Sequence, residues 1–121
     1  MAETFVVLGA SDKQDRYSYK ALTLLKQKGF NVIPVHPKLK TIEGIPVINS
    51  LAEISEKIDA ITVYVGPSSS TDLVLDMIKL KPKKIIFNPG AENPHIYPAL
   101  KDNDIKILEA CTLVMLNTGQ L

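Results

Sequence analysis

A short turn near the N-terminus combines residue types that bind phosphate. The apolar run Phe5–Leu8 leads into Gly9-Ala10-Ser11, and a helical pattern begins soon after Arg16. Glycine allows a tight turn and a close approach of a ligand to the backbone. A helix start offers unpaired N–H groups to an anion, and arginine pairs with phosphate. The turn therefore indicates a site for a phosphorylated ligand, although a purely structural strand-to-helix turn would also fit these residues.

This turn lacks the glycine pattern of NAD sites. The five residues that follow Ser11 contain no glycine and end in Arg16, so there is no GxGxxG motif. Ser18 either caps the following helix or adds a hydroxyl to the phosphate site. The pattern therefore disfavours NAD in its usual pose.

His36-Pro37-Lys38 follows the second apolar run, where NAD-binding proteins carry an acidic residue for the ribose. The charge here is neutral or positive, which favours a ribose that carries a phosphate. Coenzyme A, with its 3′-phosphate, and NADP, with its 2′-phosphate, both satisfy that condition. The alternative is a proline-containing turn with solvated lysines.

These turns are predicted to lie on a parallel, doubly wound α/β sheet, because apolar runs alternate with amphipathic segments. Predicted strands are Phe5–Leu8, Asn31–Val35, Ala60–Val65, Lys84–Phe87 and Ile105–Leu108, with a short extra strand within Ile42–Val47. Predicted helices are Tyr19–Lys28, a short one capped by a Ser50–Glu53 capping box, Ser70–Leu80 and Pro94–Lys101, with Ser68–Ser70 as caps and Gly29 ending the first. The strand ends would meet at one edge of the sheet, where Gly66-Pro67 would bring backbone against a ligand.

Composition narrows the class of protein. The 121 residues are 45% hydrophobic and 22% charged, with a formal net charge of +1, which predicts a single globular domain over 1–121 without a field for nucleic acid or a membrane surface. One cysteine, Cys111, and two histidines argue against a disulfide and a metal cluster, and with no signal sequence visible they predict a cytoplasmic protein. We identify no Ser/His/Asp set or paired carboxylates, so the chain is predicted not to be an enzyme by itself.

The order of motifs resembles the small bacterial CoA-binding domain proteins, which are Rossmann-like and similar to the N-terminal domain of the succinyl-CoA synthetase α subunit. The resemblance covers nearly the whole chain. It rests on Val7-Leu8-Gly9-Ala10-Ser11, Arg16-Tyr17-Ser18, Gly29 to Lys38, the stretch from Ile45-Pro46-Val47 to Ser50-Leu51, and the final strand into Cys111. It implies a three-layer, doubly wound parallel sheet that binds CoA or an acyl-CoA without a metal.

The resemblance also implies a role for each turn along the ligand. Gly9, Ala10, Ser11 and Arg16 would lie at the phosphates, His36, Pro37 and Lys38 at the adenosine and its 3′-phosphate, Val65, Gly66 and Pro67 along the diphosphate and pantetheine, and Asn88, Pro89 and Gly90 near the thiol. Cys111 is either a further thiol-end residue or a buried packing residue. In the synthetase the catalytic histidine lies in a following domain, so the resemblance implies binding and not ligase activity.

Two alternatives to a CoA-binding module stay open. An NADP-dependent enzyme would satisfy the phosphate signals but would need a positioned acid or base. A nucleotide-responsive protein-interaction module would need no chemistry in the crevice.

Overall fold

The computed structural model describes residues 2–121, which form strands and helices in alternation. The strands are β1 (Thr4–Leu8), β2 (Asn31–Val35), β3 (Thr41–Ile42), β4 (Ile45–Pro46), β5 (Ala60–Val63), β6 (Lys84–Phe87) and β7 (Lys106–Glu109). The helices are α1 (Tyr17–Gln27), α2 (Pro67–Leu80), α3 (Tyr97–Asp102) and α4 (Thr112–Asn117). Five of the strands form one parallel sheet in the order β2-β1-β5-β6-β7, while β3 and β4 form a small antiparallel hairpin.

Alternate residues of the strands face two separate hydrophobic clusters. On one face, Val6 and Leu8 pack in a cluster with Met77 of α2 and Leu100 of α3. On the other face, Phe5 and Val7 belong to a cluster that includes Leu22 of α1 and Met115 of α4. Helices therefore cover both sides of the sheet, which explains why its strands are apolar throughout. The predicted three-layer, doubly wound α/β fold is confirmed.

The turn after β5 differs from the prediction. The strand ends at Val63 rather than Val65, and α2 begins at Pro67 rather than Ser70. Gly66 is the N-cap and Pro67 occupies the first helical position, where its missing N–H costs nothing. The prediction that Ser68–Ser70 cap this helix is wrong, because these serines lie in its first turn.

The start of α1 also lies earlier than predicted. The helix begins at Tyr17, and Arg16 is its N-cap without a side-chain capping bond. Ser18 is buried within the first turn, so the interpretation of Ser18 as the N-cap is wrong. The C-terminal end is as expected, because Gly29 takes the left-handed φ of +93° that helix ends favour.

Smaller differences concern the short elements. In place of the one short extra strand predicted within Ile42–Val47, the chain forms the β3–β4 hairpin over residues 41–46. Ser50 accepts a bond from Ala52 N at the start of a 3-10 turn, Leu51–Glu53, rather than of an α-helix. A 3-10 turn, Pro94–Ile96, precedes α3, and the last strand runs one residue later than expected. The helix α4, which has six residues and packs on α1, was not predicted from the sequence.

Candidate functional site

The strand order reverses between β1 and β5. The chain steps outward from β1 to β2 and then returns to β5 on the other side of β1. In parallel α/β sheets a crevice opens at such a reversal, at the carboxyl ends of the strands. The turn after β1, at Gly9, and the turn after β5, at Tyr64 and Val65, flank this crevice.

Gly9 is the point where the two turns touch. It has a φ of +87°, and a Cβ placed there would lie 2.9 Å from Val65 Cγ1 and 3.2 Å from the carbonyl carbon of Tyr64. The positive φ and the missing space both require glycine. The low ridge that results separates two pockets, and Gly9 belongs to the lining of each.

The first, which we call the polar pocket, has a volume of about 350 Å³. It lies over the start of α1 and presents hydroxyl, carboxylate and guanidinium groups. Its lining consists of Gly9, Ser11, Asp15, Arg16, Tyr17, Ser18, Tyr64 and Pro89.

The free backbone donors beside the polar pocket belong to the start of α1 rather than to the turn at Gly9. The N–H groups of Gly9 and Ala10 both donate to Val35 O, at 3.2 and 3.1 Å, and are therefore occupied. The side chain of Ala10 is buried in the core on the α1 side. The first N–H groups of α1, from Tyr17 onward, have no acceptor within the helix and lie beside the exposed Arg16. An anion would thus meet α1 and Arg16, with Asp15 partly offsetting their positive charge.

Tyr64 places a buried hydroxyl at the base of the polar pocket. Within the described residues, this oxygen has no hydrogen-bond partner. The nearby hydroxyls of Thr62 and Thr112 bond to each other at 2.8 Å. Burial raises the pKa of Tyr64 to about 12, so the phenol stays protonated at neutral pH.

The second pocket, which we call the apolar pocket, has a volume of about 280 Å³. It lies between the loop after β2 and the start of α2, on the other side of Gly9. Its lining consists of Leu8, Gly9, Val35, Pro37, Asn49, Ser50, Leu51, Val65, Ser69 and Leu73.

The loop after β2 is held in shape by His36 and Asn49. The imidazole Nδ1 of His36 accepts from Lys38 N at 3.0 Å and Leu39 N at 3.1 Å. Asn49 Nδ2 donates to His36 O at 2.9 Å and Leu39 O at 3.0 Å. These bonds hold the loop that places Pro37 at the apolar pocket, and Lys38 is exposed on the same loop. His36 therefore orders this loop by accepting hydrogen bonds from the backbone N–H groups of Lys38 and Leu39.

Asn88 lies beneath the crevice and joins three elements. Its Nδ2 donates to Thr62 Oγ1 at 2.8 Å and Val63 O at 3.0 Å, and its Oδ1 accepts from Thr112 N at 2.9 Å. The side chain is 3% exposed. Asn88 thus holds β5, β6 and the start of α4 together, and Pro89, the next residue, reaches the polar pocket.

The other predicted site residues lie around the same edge. Gly66 and Pro67 are exposed at the start of α2, and open space surrounds the position of a Cβ on Gly66. Gly90, with a φ of +91°, completes the turn after β6. Cys111 is partly exposed at the N-cap of α4, close to Tyr64.

Several lining residues were not singled out from the sequence as site residues. They are Leu8, Asp15, Tyr17, Val35, Asn49, Ser50, Leu51, Tyr64, Ser69 and Leu73. Tyr64 adjoins a predicted strand end, so the sheet topology could have indicated it. Asn49 and Leu73 reach the crevice through the loop before the 3-10 turn and the second turn of α2, and no local motif marks either of them.

Two kinds of feature are not found in the part of the chain that the structure describes. Residues 2–121 contain no group of three or more histidine, cysteine or acidic side chains placed to hold a metal ion. Among the helices described for these residues, none has both the length and the apolar character needed to cross a membrane.

Comparisons with known proteins agree with this fold. A solved crystal structure of a protein described as uncharacterized is 36% identical, covers 100% of this chain and 99% of its own, and superposes with a TM-score of 0.94. A structure from Thermus thermophilus is 27% identical, with 99% of this chain and 91% of that chain covered and a TM-score of 0.88. The Bacillus subtilis protein YneT is 25% identical over 114 residues, 93% of this chain and 84% of its own.

One family description spans almost the full sequence. The family model described as the CoA binding domain matches residues 3–117, from just before β1 to the end of α4. That range includes both pockets and the Gly9 ridge between them. This chain belongs to the CoA binding domain family.

Proposed function

We propose that the chain binds coenzyme A, or an acyl-CoA, across the Gly9 ridge. The observation that carries the proposal is the pair of unlike pockets on the two sides of a residue that has no room for a side chain. Coenzyme A has the matching arrangement: an apolar base at one end, a diphosphate, and a long thiol-bearing arm. The bare backbone at Gly9 would let the ligand pass closely from one pocket to the other.

The nucleotide end would occupy the apolar pocket and the loop after β2. Adenine would lie between the apolar side chains there, which would bury its faces. Lys38, exposed on the loop that His36 and Asn49 hold, would pair with the 3′-phosphate. Because the loop is already ordered, binding would cost little further conformational entropy.

The diphosphate and the arm would lie on the other side of Gly9. Ser11, Arg16 and the first N–H groups of α1 supply hydrogen-bond donors, and Ser18 lies in the same lining. Gly66-Pro67 leaves open space along the route of the arm, and Pro89 and Gly90 would border its thiol end near Cys111.

The chain would bind this ligand without transforming it by itself. In the polar pocket, the pKa of Tyr64 is raised to about 12, further from neutrality than its ordinary value. The phenol therefore remains a weak acid. We further propose a cytoplasmic location, since the single cysteine suits a reducing compartment. The small net charge of +1 is consistent with a small-molecule ligand rather than nucleic acid or a membrane.

Isothermal titration with coenzyme A, dephospho-CoA, NADP and NAD tests this proposal. Coenzyme A should bind most tightly, and Lys38→Ala should weaken coenzyme A about tenfold, a typical effect of removing one charged hydrogen bond, while dephospho-CoA is unaffected. Lys40→Ala, on the same loop, is the matched control and should leave both affinities unchanged. Tighter binding of NADP would favour a nicotinamide enzyme, and failure of all four ligands would favour an interaction module.

A further inference from the structure

The apolar pocket contains one polar side chain whose orientation is fixed. Its lining includes three polar side chains, Asn49, Ser50 and Ser69. Ser50 Oγ accepts from Ala52 N at 3.1 Å, but the protons of both serine hydroxyls can rotate. Each serine can therefore donate or accept, so neither distinguishes one base edge from another. Asn49 differs from them because its amide is held by the protein.

Two carbonyl oxygens determine which way this amide faces. Asn49 Nδ2 donates to His36 O at 2.9 Å and to Leu39 O at 3.0 Å. A flipped amide would set its Oδ1 against both carbonyls, which is repulsive, so the hydrogen-bond partners assign the nitrogen and oxygen without ambiguity. Both Nδ2 hydrogens are used in the loop. Asn49 lines the apolar pocket and is exposed, and no donor among the described residues bonds to its Oδ1, so this oxygen is free to accept from a ligand.

A fixed carbonyl oxygen selects for a donor on the ligand. Adenine carries an exocyclic 6-amino group, which donates, whereas hypoxanthine and guanine carry a 6-oxo group, which accepts. Asn49 is exposed in the free protein, and a purine bound against it would displace solvent from Oδ1. An oxo group would then place two acceptors together with no proton between them, which leaves both unpaired and is costly. Such a site can strongly reject a ligand that lacks the required N–H.

We propose that Asn49 is the residue that selects the base, and that it does so by accepting a hydrogen bond from the 6-amino group of adenine. This inference rests on the proposed binding of coenzyme A and adds the class of base that the pocket accepts. Asn49 would thus serve two purposes, since its Nδ2 orders the loop that carries Lys38 and its Oδ1 reads the purine.

The direct test compares two ligands on the unmodified protein. Coenzyme A and its deaminated analogue, in which hypoxanthine replaces adenine, differ at the purine 6-position and in the adjacent ring proton. We expect the analogue to bind at least about tenfold more weakly by isothermal titration, the usual effect of losing one hydrogen bond and leaving its partner unpaired. Equal affinities would overturn the assignment of Asn49 while leaving the proposed function intact. If coenzyme A itself fails to bind, the proposed function fails and this inference fails with it.

Two variants then assign the discrimination to a side chain. In Asn49→Ala the ratio of the two affinities should fall towards one, whatever happens to the absolute affinity. His36→Ala is the matched control, because it removes the Nδ1 acceptor that orders the same loop but leaves the Asn49 amide and the His36 carbonyl in place. It should weaken both ligands together and keep their ratio. A ratio that persists in Asn49→Ala, or that disappears in His36→Ala, would contradict the proposal.

Discussion

Gly9 is the residue on which the proposed ligand path most depends. A valine there would be strained at a φ of +87°, and its Cβ would begin 2.9 Å from Val65 Cγ1. We expect Gly9→Val to fold with a free energy of unfolding lower by roughly 1–3 kcal/mol, the usual cost of such backbone strain. Coenzyme A affinity should fall to below detection by isothermal titration, because the new side chain overlaps Val65 and the Tyr64 backbone and must displace the turn after β5, which lines both pockets.

Gly29→Val provides a matched control for Gly9→Val. Gly29 has a similar φ of +93°, lies at the end of α1, and has open space around the position of a Cβ. This variant carries the same φ strain without the overlap, so it should lose less stability than Gly9→Val and retain its affinity for coenzyme A. If Gly9→Val also retains its affinity, the ligand does not cross this turn.

At the scale of the elements, the side chain of Asn88 holds β5, β6 and the start of α4 together beneath the crevice. Asn88→Ala would remove three hydrogen bonds and leave the N–H of Thr112 buried without an acceptor. We expect the free energy of unfolding, measured by urea denaturation, to fall by about 2–3 kcal/mol. Asn117→Ala, at the exposed end of α4, should change it by less than about 0.5 kcal/mol. A small effect at Asn88 would show that packing alone positions α4.

Asp59 joins the starts of β1 and β5. Its carboxylate makes the stability of the protein depend on pH in the acid range. Its carboxylate accepts from Thr4 N at 2.8 Å and lies 3.5 Å from Lys83 Nζ. The bond from Thr4 N, with a smaller contribution from Lys83, lowers the pKa of Asp59 below its ordinary value. A carboxyl whose pKa is lowered by folding stabilises the protein above its unfolded pKa, about 3.9, and loses that contribution as the pH falls through the folded value.

Urea denaturation between pH 2 and pH 7 measures this contribution. The stability of the unmodified protein should be steady above about pH 5 and decline below about pH 4. Asp59→Asn should be less stable at neutral pH and decline less steeply in acid. Parallel curves for the two proteins would mean that other carboxylates cause the decline.

For the molecule as a whole, the sequence predicted the architecture better than the site. Alternating apolar runs were sufficient to predict the strands of the main sheet, because strands buried on both faces have a strong local signal. α4 was not predicted, because a helix of six residues has fewer than two turns in which a helical period could be recognised. Strand order and the meeting of Gly9 with Val65 depend on contacts between distant parts of the chain, which no local pattern reveals.

Within the site, too, local features could be predicted from the sequence and contacts between distant residues could not. The turn at Gly9 could be predicted because a positive φ and an apolar strand before it have sequence signatures. That Asn88 uses its amide inside the protein, and that Asn49 and His36 share a loop, could not be predicted. Polar side chains look alike in a sequence whether they face a ligand or a neighbouring strand.

The most direct test of ligand binding across the Gly9 ridge is a titration of ¹⁵N-labelled protein with coenzyme A, followed through the backbone amide resonances. Shifts should appear together at Gly9, Ser11, Lys38, Val65 and Gly66, which lie on both sides of the ridge. The β3–β4 hairpin, at Glu43 and Gly44, should stay unchanged, since it lies outside both pockets. Saturable shifts on both sides of Gly9 are the predicted result. An absence of shifts, or shifts confined to residues away from the strand ends, would contradict binding at this site.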